Sequence, residues 1–251
     1  MSAGGDGKLS ERSAVVLGVG ASKGLGAAIA RRFAREGFRI TVMGRSAEKL
    51  AATLKELREG GAVAEAVIGD VTDEAAVRRV VAGADASSAP LEAAIFNAGG
   101  NWPKPFLEMD AAFLEDMWRV NALAGFCFAK AALEAMLPRR RGVLIFTGAS
   151  ASLRGRAKFG GFAQAKAALR ALAQSAAREF GPQGINVAHV VVDGAIDGDR
   201  IHSFLPGLKA ARGPDGLLEP DAIAENFWQL YRQPRSAWTH EIDVRPWVEP
   251  W

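Results

Sequence analysis

Short apolar runs alternate with amphipathic segments along almost the whole chain. The runs at 14–19, 38–43, 62–68, 93–97, 142–147 and 185–192 are too short for helices, rich in Val, Ile, Ala and Phe, and mostly apolar, and a last strand is expected near Glu241–Val244. Continuous rather than alternating apolar character is what a strand buried on both faces requires. The intervening segments carry helical spacing. Leu25, Ile29 and Phe33 recur at i, i+4 and i+8, and Gly37 follows where a helix C′ residue belongs. Ser46 predicts an N-cap for a helix ending near Glu59, and Asp73 with Glu74 puts negative charge at the start of the next. A long helical segment is predicted from about Phe113 to Leu137, stopped by Pro138, and another from about Gly160 to Gly181-Pro182. Seven strands separated by helices predict βαβ units and a parallel sheet with helices on both faces.

Composition narrows the picture. With 251 residues, 49% of them hydrophobic, the chain can bury a sizeable core, and no linker or repeat divides it. We expect one α/β domain over residues 13–251. Residues 1–12, rich in Gly and Ser without an apolar core, predict a loose tail rather than a signal peptide, and hence a cytoplasmic protein. No uninterrupted apolar stretch reaches the roughly 18–20 residues that cross a bilayer. The single cysteine, Cys127, excludes an internal disulfide and reads as a buried, inert thiol. The balance of 31 basic and 28 acidic residues is +3, and Arg139-Arg140-Arg141 is the only compact basic run. It reads as a solvated loop, so no nucleic-acid partner is expected.

The first predicted strand runs into Gly18-Val19-Gly20-Ala21-Ser22-Lys23-Gly24-Leu25-Gly26 and then directly into a helix. In that context small residues let the backbone approach a pyrophosphate, and the free N–H groups of the helix start bind its charge. About twenty residues farther on, a carboxylate would hold the ribose 2′-hydroxyl of NAD, whereas a cation accommodates the 2′-phosphate of NADP. This chain has Met43-Gly44-Arg45-Ser46 there, with Lys23 before Gly24. NADP is therefore expected over NAD, the alternative being that Lys23 and Arg45 are only solvated loop charges.

The spacing Gly20-x-x-x-Gly24-x-Gly26, with Asn97-Ala98-Gly99 ending the fourth strand and Gly69-Asp70-Val71 ending the third, resembles the short-chain dehydrogenase/reductase family. The resemblance implies a Rossmann-like doubly wound sheet of order 3-2-1-4-5-6-7. It also implies cofactor contacts from Gly20, Ser22, Lys23, Gly24, Leu25, Gly26, Arg45, Asp70, Val71, Asn97, Ala98, Gly99, Lys166 and Ile196. The family's Tyr-x-x-x-Lys site falls on Phe162-Ala163-Gln164-Ala165-Lys166, where the lysine is kept and the tyrosine hydroxyl is missing. Asn121 matches the family's catalytic Asn, and Lys166 the Lys that also holds the nicotinamide ribose. Thirteen positions before Phe162, where the family has Ser, stands Ala149; Ser150 and Ser152 are the nearest hydroxyls. The only tyrosine, Tyr231, lies in a C-terminal helix. Gly198 stands where the family has a Thr on the carboxamide.

Hydride transfer to a carbonyl leaves charge on oxygen and needs a proton donor. The leading expectation is an NADP-dependent oxidoreductase acting on a small, apolar carbonyl or alcohol, with water, Lys166, Ser150 or Ser152 replacing the tyrosine. The alternatives are a non-catalytic dinucleotide-binding protein, or a lyase or isomerase using the same cleft. Asn121 is read either as catalytic or as satisfying helix backbone groups. His189 is read as a satisfied core residue, and Asp193 as a turn residue with an acid role as its alternative. Trp228, Trp238, Trp247 and Trp251 crowd the last 24 residues, and as in the family they are expected over a substrate cleft, against another subunit or in the core. The resemblance and the Ala-, Leu- and Phe-rich long helices predict a dimer or tetramer. No metal site is expected.

Overall fold

The computed structural model describes residues 12–85 and 88–250, so the expectation for the N-terminal tail falls, apart from Arg12, outside the described residues, as does Trp251. The elements run β1 (Ser13–Leu17), α1 (Leu25–Arg35), β2 (Arg39–Gly44), α2 (Ala47–Glu59), β3 (Ala64–Ile68), α3 (Glu74–Ala84), β4 (Leu91–Phe96), α4 (Ala111–Trp118) and α5 (Ala124–Met136). Then follow β5 (Gly142–Thr147), α6 (Gly160–Phe180), β6 (Ile185–Val192), α7 (Asp199–Phe204), α8 (Leu208–Arg212), α9 (Pro220–Arg232) and β7 (Glu241–Val244). All strands are parallel, in the order β3-β2-β1-β4-β5-β6-β7. The fold is Rossmann-like, and β5, β6 and β7 have the predicted bounds.

Every residue of β1, β4 and β6 is buried, which explains their nearly continuous apolar character. One face of the sheet packs on α1, α2 and α9, the other on α3, α5 and α6. In the first layer Phe33, Phe38, Trp228 and Tyr231 meet edge-on or stacked, with ring centroids 5.1–6.1 Å apart. Trp228 is thus core, unavailable to a substrate. The predicted caps form: Ser46 Oγ accepts from the Lys49 N–H and Asp73 Oδ1 from the Ala76 N–H. Gly37 takes the left-handed φ of 79° beyond α1.

The long helix expected over 113–137 departs from regularity at one place. Residues Arg119–Leu123 form a π turn between α4 and α5. The Asn121 side chain donates to the Met117 carbonyl at 2.9 Å, the acceptor an α turn would give to Asn121's own N–H. A polar side chain therefore widens the helix where it passes the sheet. Taken together, Ala111–Arg139 is long and apolar enough to cross a bilayer, contrary to the reading by uninterrupted runs, but 56% of its most apolar window is buried in the fold, as in a core helix.

Candidate active site

The carboxyl ends of β1, β4 and β5 meet around three side chains. Gly18 leaves β1 with φ 85°, and a methyl group there would overlap the backbone of Ala98. Asn97, at the end of β4, donates from Nδ2 to the Gly18 carbonyl (3.1 Å) and accepts from Thr147 Oγ1 (3.2 Å). One amide thereby fastens the glycine-rich turn to β5. A side chain on Gly44 would overlap the Val19 carbonyl, so the end of β2 also lies directly against the turn. Nothing lies within 4 Å of a methyl group added at Gly20, so the turn is open on that side.

Asn121 and Lys166 converge at Gly99. A Cβ on Gly99 would lie 2.7 Å from Asn121 Oδ1 and 3.4 Å from Lys166 Nζ, so glycine is what lets them approach. Asn121 Oδ1 accepts from the Gly100 N–H and its Nδ2 donates to the Gly100 carbonyl, both at 3.3 Å. Asn121 thus satisfies backbone groups, one of its two readings, and it does so beside Lys166. The Lys166 ammonium is buried and donates to the Thr147 carbonyl at 2.8 Å, with no carboxylate opposite it among the described residues. Burial pulls its pKa down to about 8. The Phe162 ring, one helical turn earlier in α6, has its centroid 5.9 Å from Nζ.

The hydroxyl question sorts itself by burial. Ser152 is buried, accepts from the Ala149 N–H at 3.2 Å, and lies 3.4 Å from His189 Nε2. His189 Nδ1 is 2.9 Å from Glu241 Oε2, and Arg170 holds Glu241 with two bonds of 2.6 and 2.7 Å. That cation holds the Glu241 carboxyl below the usual range, and burial lowers the His189 pKa to about 4. The imidazole is therefore neutral: Nδ1 donates to Glu241 and Nε2 accepts the Ser152 proton. Ser152 is spent beneath the turn. Ser150 is half-buried; its carbonyl accepts from the Leu153 and Arg154 N–H groups, and its hydroxyl has no hydrogen-bond partner among the described residues. Tyr231 donates to Glu92 (2.6 Å) at the opposite end of the sheet.

Other expectations shift. Asp193 does stand at the edge of the loop after β6, but it is buried and paired with Arg154 (3.1 Å) and Arg245 (3.6 Å), and its N–H donates to the Val244 carbonyl of β7. His202, in α7, binds Asp197 at 2.7 Å. Lys23 lines a cavity of about 290 Å³ with Arg31, Asp197 and His202, whereas Arg45 lies close enough to Asp70 to help hold that carboxyl below its ordinary pKa, after the Thr72 N–H bond. Leu25, Val71 and Ala98 turn their side chains into the core, so only their backbones can serve a ligand. Ser22 offers its carbonyl to Arg31. Ile196 pairs with Leu218, pinning the segment after β6. Cys127 is half-buried with its thiol pKa raised by burial, an inert group. Among the described residues no cluster could hold a metal ion.

Residues 14–203 match the model of the short chain dehydrogenase family. The chain belongs to that family. A protein of Xanthobacter autotrophicus named inactive 2-(S)-hydroxypropyl-CoM dehydrogenase 2 is 36% identical over 67% of this chain and 71% of its own length. A short-chain dehydrogenase structure from Rhodopseudomonas palustris is 39% identical, with TM-score 0.79 over 94% of this chain and all of that one. A metagenomic short-chain oxidoreductase in complex with NADP is 28% identical, with TM-score 0.80 over 96% and 99%. Membership makes the chain part of a family of nicotinamide-dependent oxidoreductases acting on small molecules. The networks around Ser152 and Asp193 escaped sequence reasoning, since their partners lie 37 to 52 positions away.

Proposed function

We propose that the chain interconverts a carbonyl and an alcohol with NADP, and that Lys166 carries the proton the family's tyrosine would carry. The observation behind this is the Lys166 ammonium itself: buried, unpaired by any carboxylate among the described residues, and with a pKa near 8. A general acid works best when its pKa lies near the working pH. One of its three N–H groups serves the Thr147 carbonyl, which leaves two. Ser150, with its hydroxyl free, would hydrogen-bond the substrate oxygen, and Asn121 fixes the backbone of Gly100 beside it. Bound NADPH would supply the hydride.

The cofactor fits this chain's residues. The opening at Gly20, the start of α1 and the close approach of Gly18 to Ala98 form a cradle for a pyrophosphate, and Gly99 leaves room beside Lys166. Arg45 offers an exposed cation just past β2, where positions 43–46 hold no carboxylate, with Asp70 of the next strand end nearby. NADPH should bind at least about tenfold more tightly than NADH, with Arg45→Ala removing most of the difference, as the loss of one charge-assisted hydrogen bond implies. Fluorescence titration of both cofactors checks this; equal affinities would refute it.

The activity itself is tested by NADPH consumption across a panel of ketones and aldehydes, and by the reverse reaction with alcohols. Phe162 and Ala149 favour a second reading, a non-catalytic dinucleotide-binding protein. Tight NADPH binding with every substrate inert would select it.

Self-association belongs to the same proposal. Leu114, Trp118 and Phe126 remain exposed on α4, the π turn's flank and α5, and a second copy would cover them. Light scattering should give two or four times 26.6 kDa; a mass of 26.6 kDa would contradict it.

A further inference from the structure

No aspartate or glutamate lies between Glu134 and Glu179, so the whole β5–α6 connection carries only positive charge. Its loop presents Arg154, Arg156 and Lys158 to solvent just past the Ser150–Ser152 turn. Two bonds sew neighbouring segments onto it. The Lys104 N–H donates to the Lys158 carbonyl at 2.7 Å, and Arg200 of α7 donates to the Asn101 side chain. Residues 101–104, the β5–α6 loop and α7 therefore form one rim beside the place where Asn121 and Lys166 meet.

The rim is short of counter-charge: residues 101–104, 153–159 and 199–204 hold five Lys and Arg against one acid, Asp199. Elsewhere in the protein arginines meet acids: Arg32 has Glu36 and Glu225, and Arg170 has Glu241. On the rim Arg154 has Asp193, and Lys104 reaches Asp110 only at 3.9 Å. Asp197 is taken up by His202 and Lys209. Arg156, Lys158 and Arg200 have no carboxylate partner among the described residues. Arg200 is partly withdrawn from water, which lowers its pKa with nothing opposing. A guanidinium so placed gains most from an oxyanion supplied from outside. The same rim carries exposed aromatic surface. The Trp102 indole lies on Gly100 and is 46% exposed, while Phe204, 70% exposed, has its ring 5.9 Å from the Arg200 guanidinium.

We propose that this rim selects an amphipathic acid: an apolar ketone or alcohol whose oxyanion, carboxylate, sulfonate or phosphate, is held by Arg200 with Arg156 and Lys158 while its apolar body lies against Trp102 and Phe204. The inference rests on the oxidoreductase reading for its reacting end, but not for its binding end.

Binding and turnover therefore test it separately. Calorimetry on the NADP-saturated protein would compare benzoylformate with its methyl ester and with acetophenone, and phenyl phosphate with phenol. Each acid should bind about tenfold more tightly than its neutral counterpart, and added salt should shrink the gap. Arg200→Gln should erase most of it, and Arg156→Ala with Lys158→Ala about a threefold share. Arg200→Lys should restore part. Arg178→Ala, the same loss of charge at the far end of α6, should change nothing. Pyruvate, an acid without the apolar body, should bind more weakly than benzoylformate. Acid and ester binding alike, or a preference that survives both rim variants, would overturn the inference. If the acids bind as expected but none turns over, the rim stands and the catalytic reading falls. If neutral ketones turn over as well as the acids, with no preference in binding, the rim falls and the catalytic reading stands.

Discussion

Phe162→Tyr should raise turnover of simple ketones by about 10²-fold, and up to about 10⁴-fold, the range of a well-placed general acid. The ring position is already built into α6, so the change adds a hydroxyl without asking the core to repack. Its environment is also prepared. The buried Lys166 ammonium lies 5.9 Å from the ring centroid, and a neighbouring cation lowers the pKa of a phenol. Because Ala149 lacks a hydroxyl as well, Ala149→Ser combined with Phe162→Tyr should exceed either change alone. NADPH oxidation by the parent, both single variants and the double decides the matter. A parent that is already fast and is slowed by Phe162→Tyr would mean that the cleft serves a different chemistry. Four inert proteins that still bind NADPH would favour the non-catalytic reading.

Lys166→Met should have opposite effects on activity and stability. Turnover should fall by about 10²–10³-fold, since the group proposed to carry the proton is gone. Stability at pH 7 should rise by about 1–3 kcal/mol. The sign follows from the lowered pKa. Below pH 8 Lys166 is charged in both folded and unfolded chains, and the folded chain bears the full cost of burying that charge. Between pH 8 and 10.5 the folded state alone sheds the proton, so the cost fades as pH rises. Losing about two and a half pKa units corresponds to roughly 3 kcal/mol, at about 1.36 kcal/mol per unit, less the lost bond to Thr147. Urea unfolding of both proteins at pH 7 and pH 10 should show the advantage of Lys166→Met at pH 7 and little of it at pH 10. In the parent, ketone reduction should slow as pH rises through about 8, because the ammonium loses its proton. A reduction rate flat from pH 6 to 10 would remove Lys166 from the proposed role.

Much of this protein is written in local pattern. Nearly continuous apolar runs marked the strands because a sheet covered on both faces leaves no polar side to alternate with. Ser46, Asp73 and Gly37 marked helix ends because capping is decided within three or four residues. The glycine-rich turn, the Asn97-Ala98-Gly99 end of β4 and the absence of a hydroxyl at position 162 could likewise be read without coordinates. The long-range arrangement could not. Nothing local to Ser152 shows that its proton goes to His189, nor does Asp193 announce Arg154 and Arg245. The π turn at Asn121 carries a side chain that also meets Gly100, which comes from a different strand end. Lys166 could be matched to the family's lysine by position, but that its charge is buried and costly follows only from the fold that closes over it. Sequence periodicity records which face of an element is apolar. Which buried polar groups meet, and therefore which protons are held and which hydroxyl stays free, is decided by contacts between elements distant in the chain, and that only the tertiary structure determines.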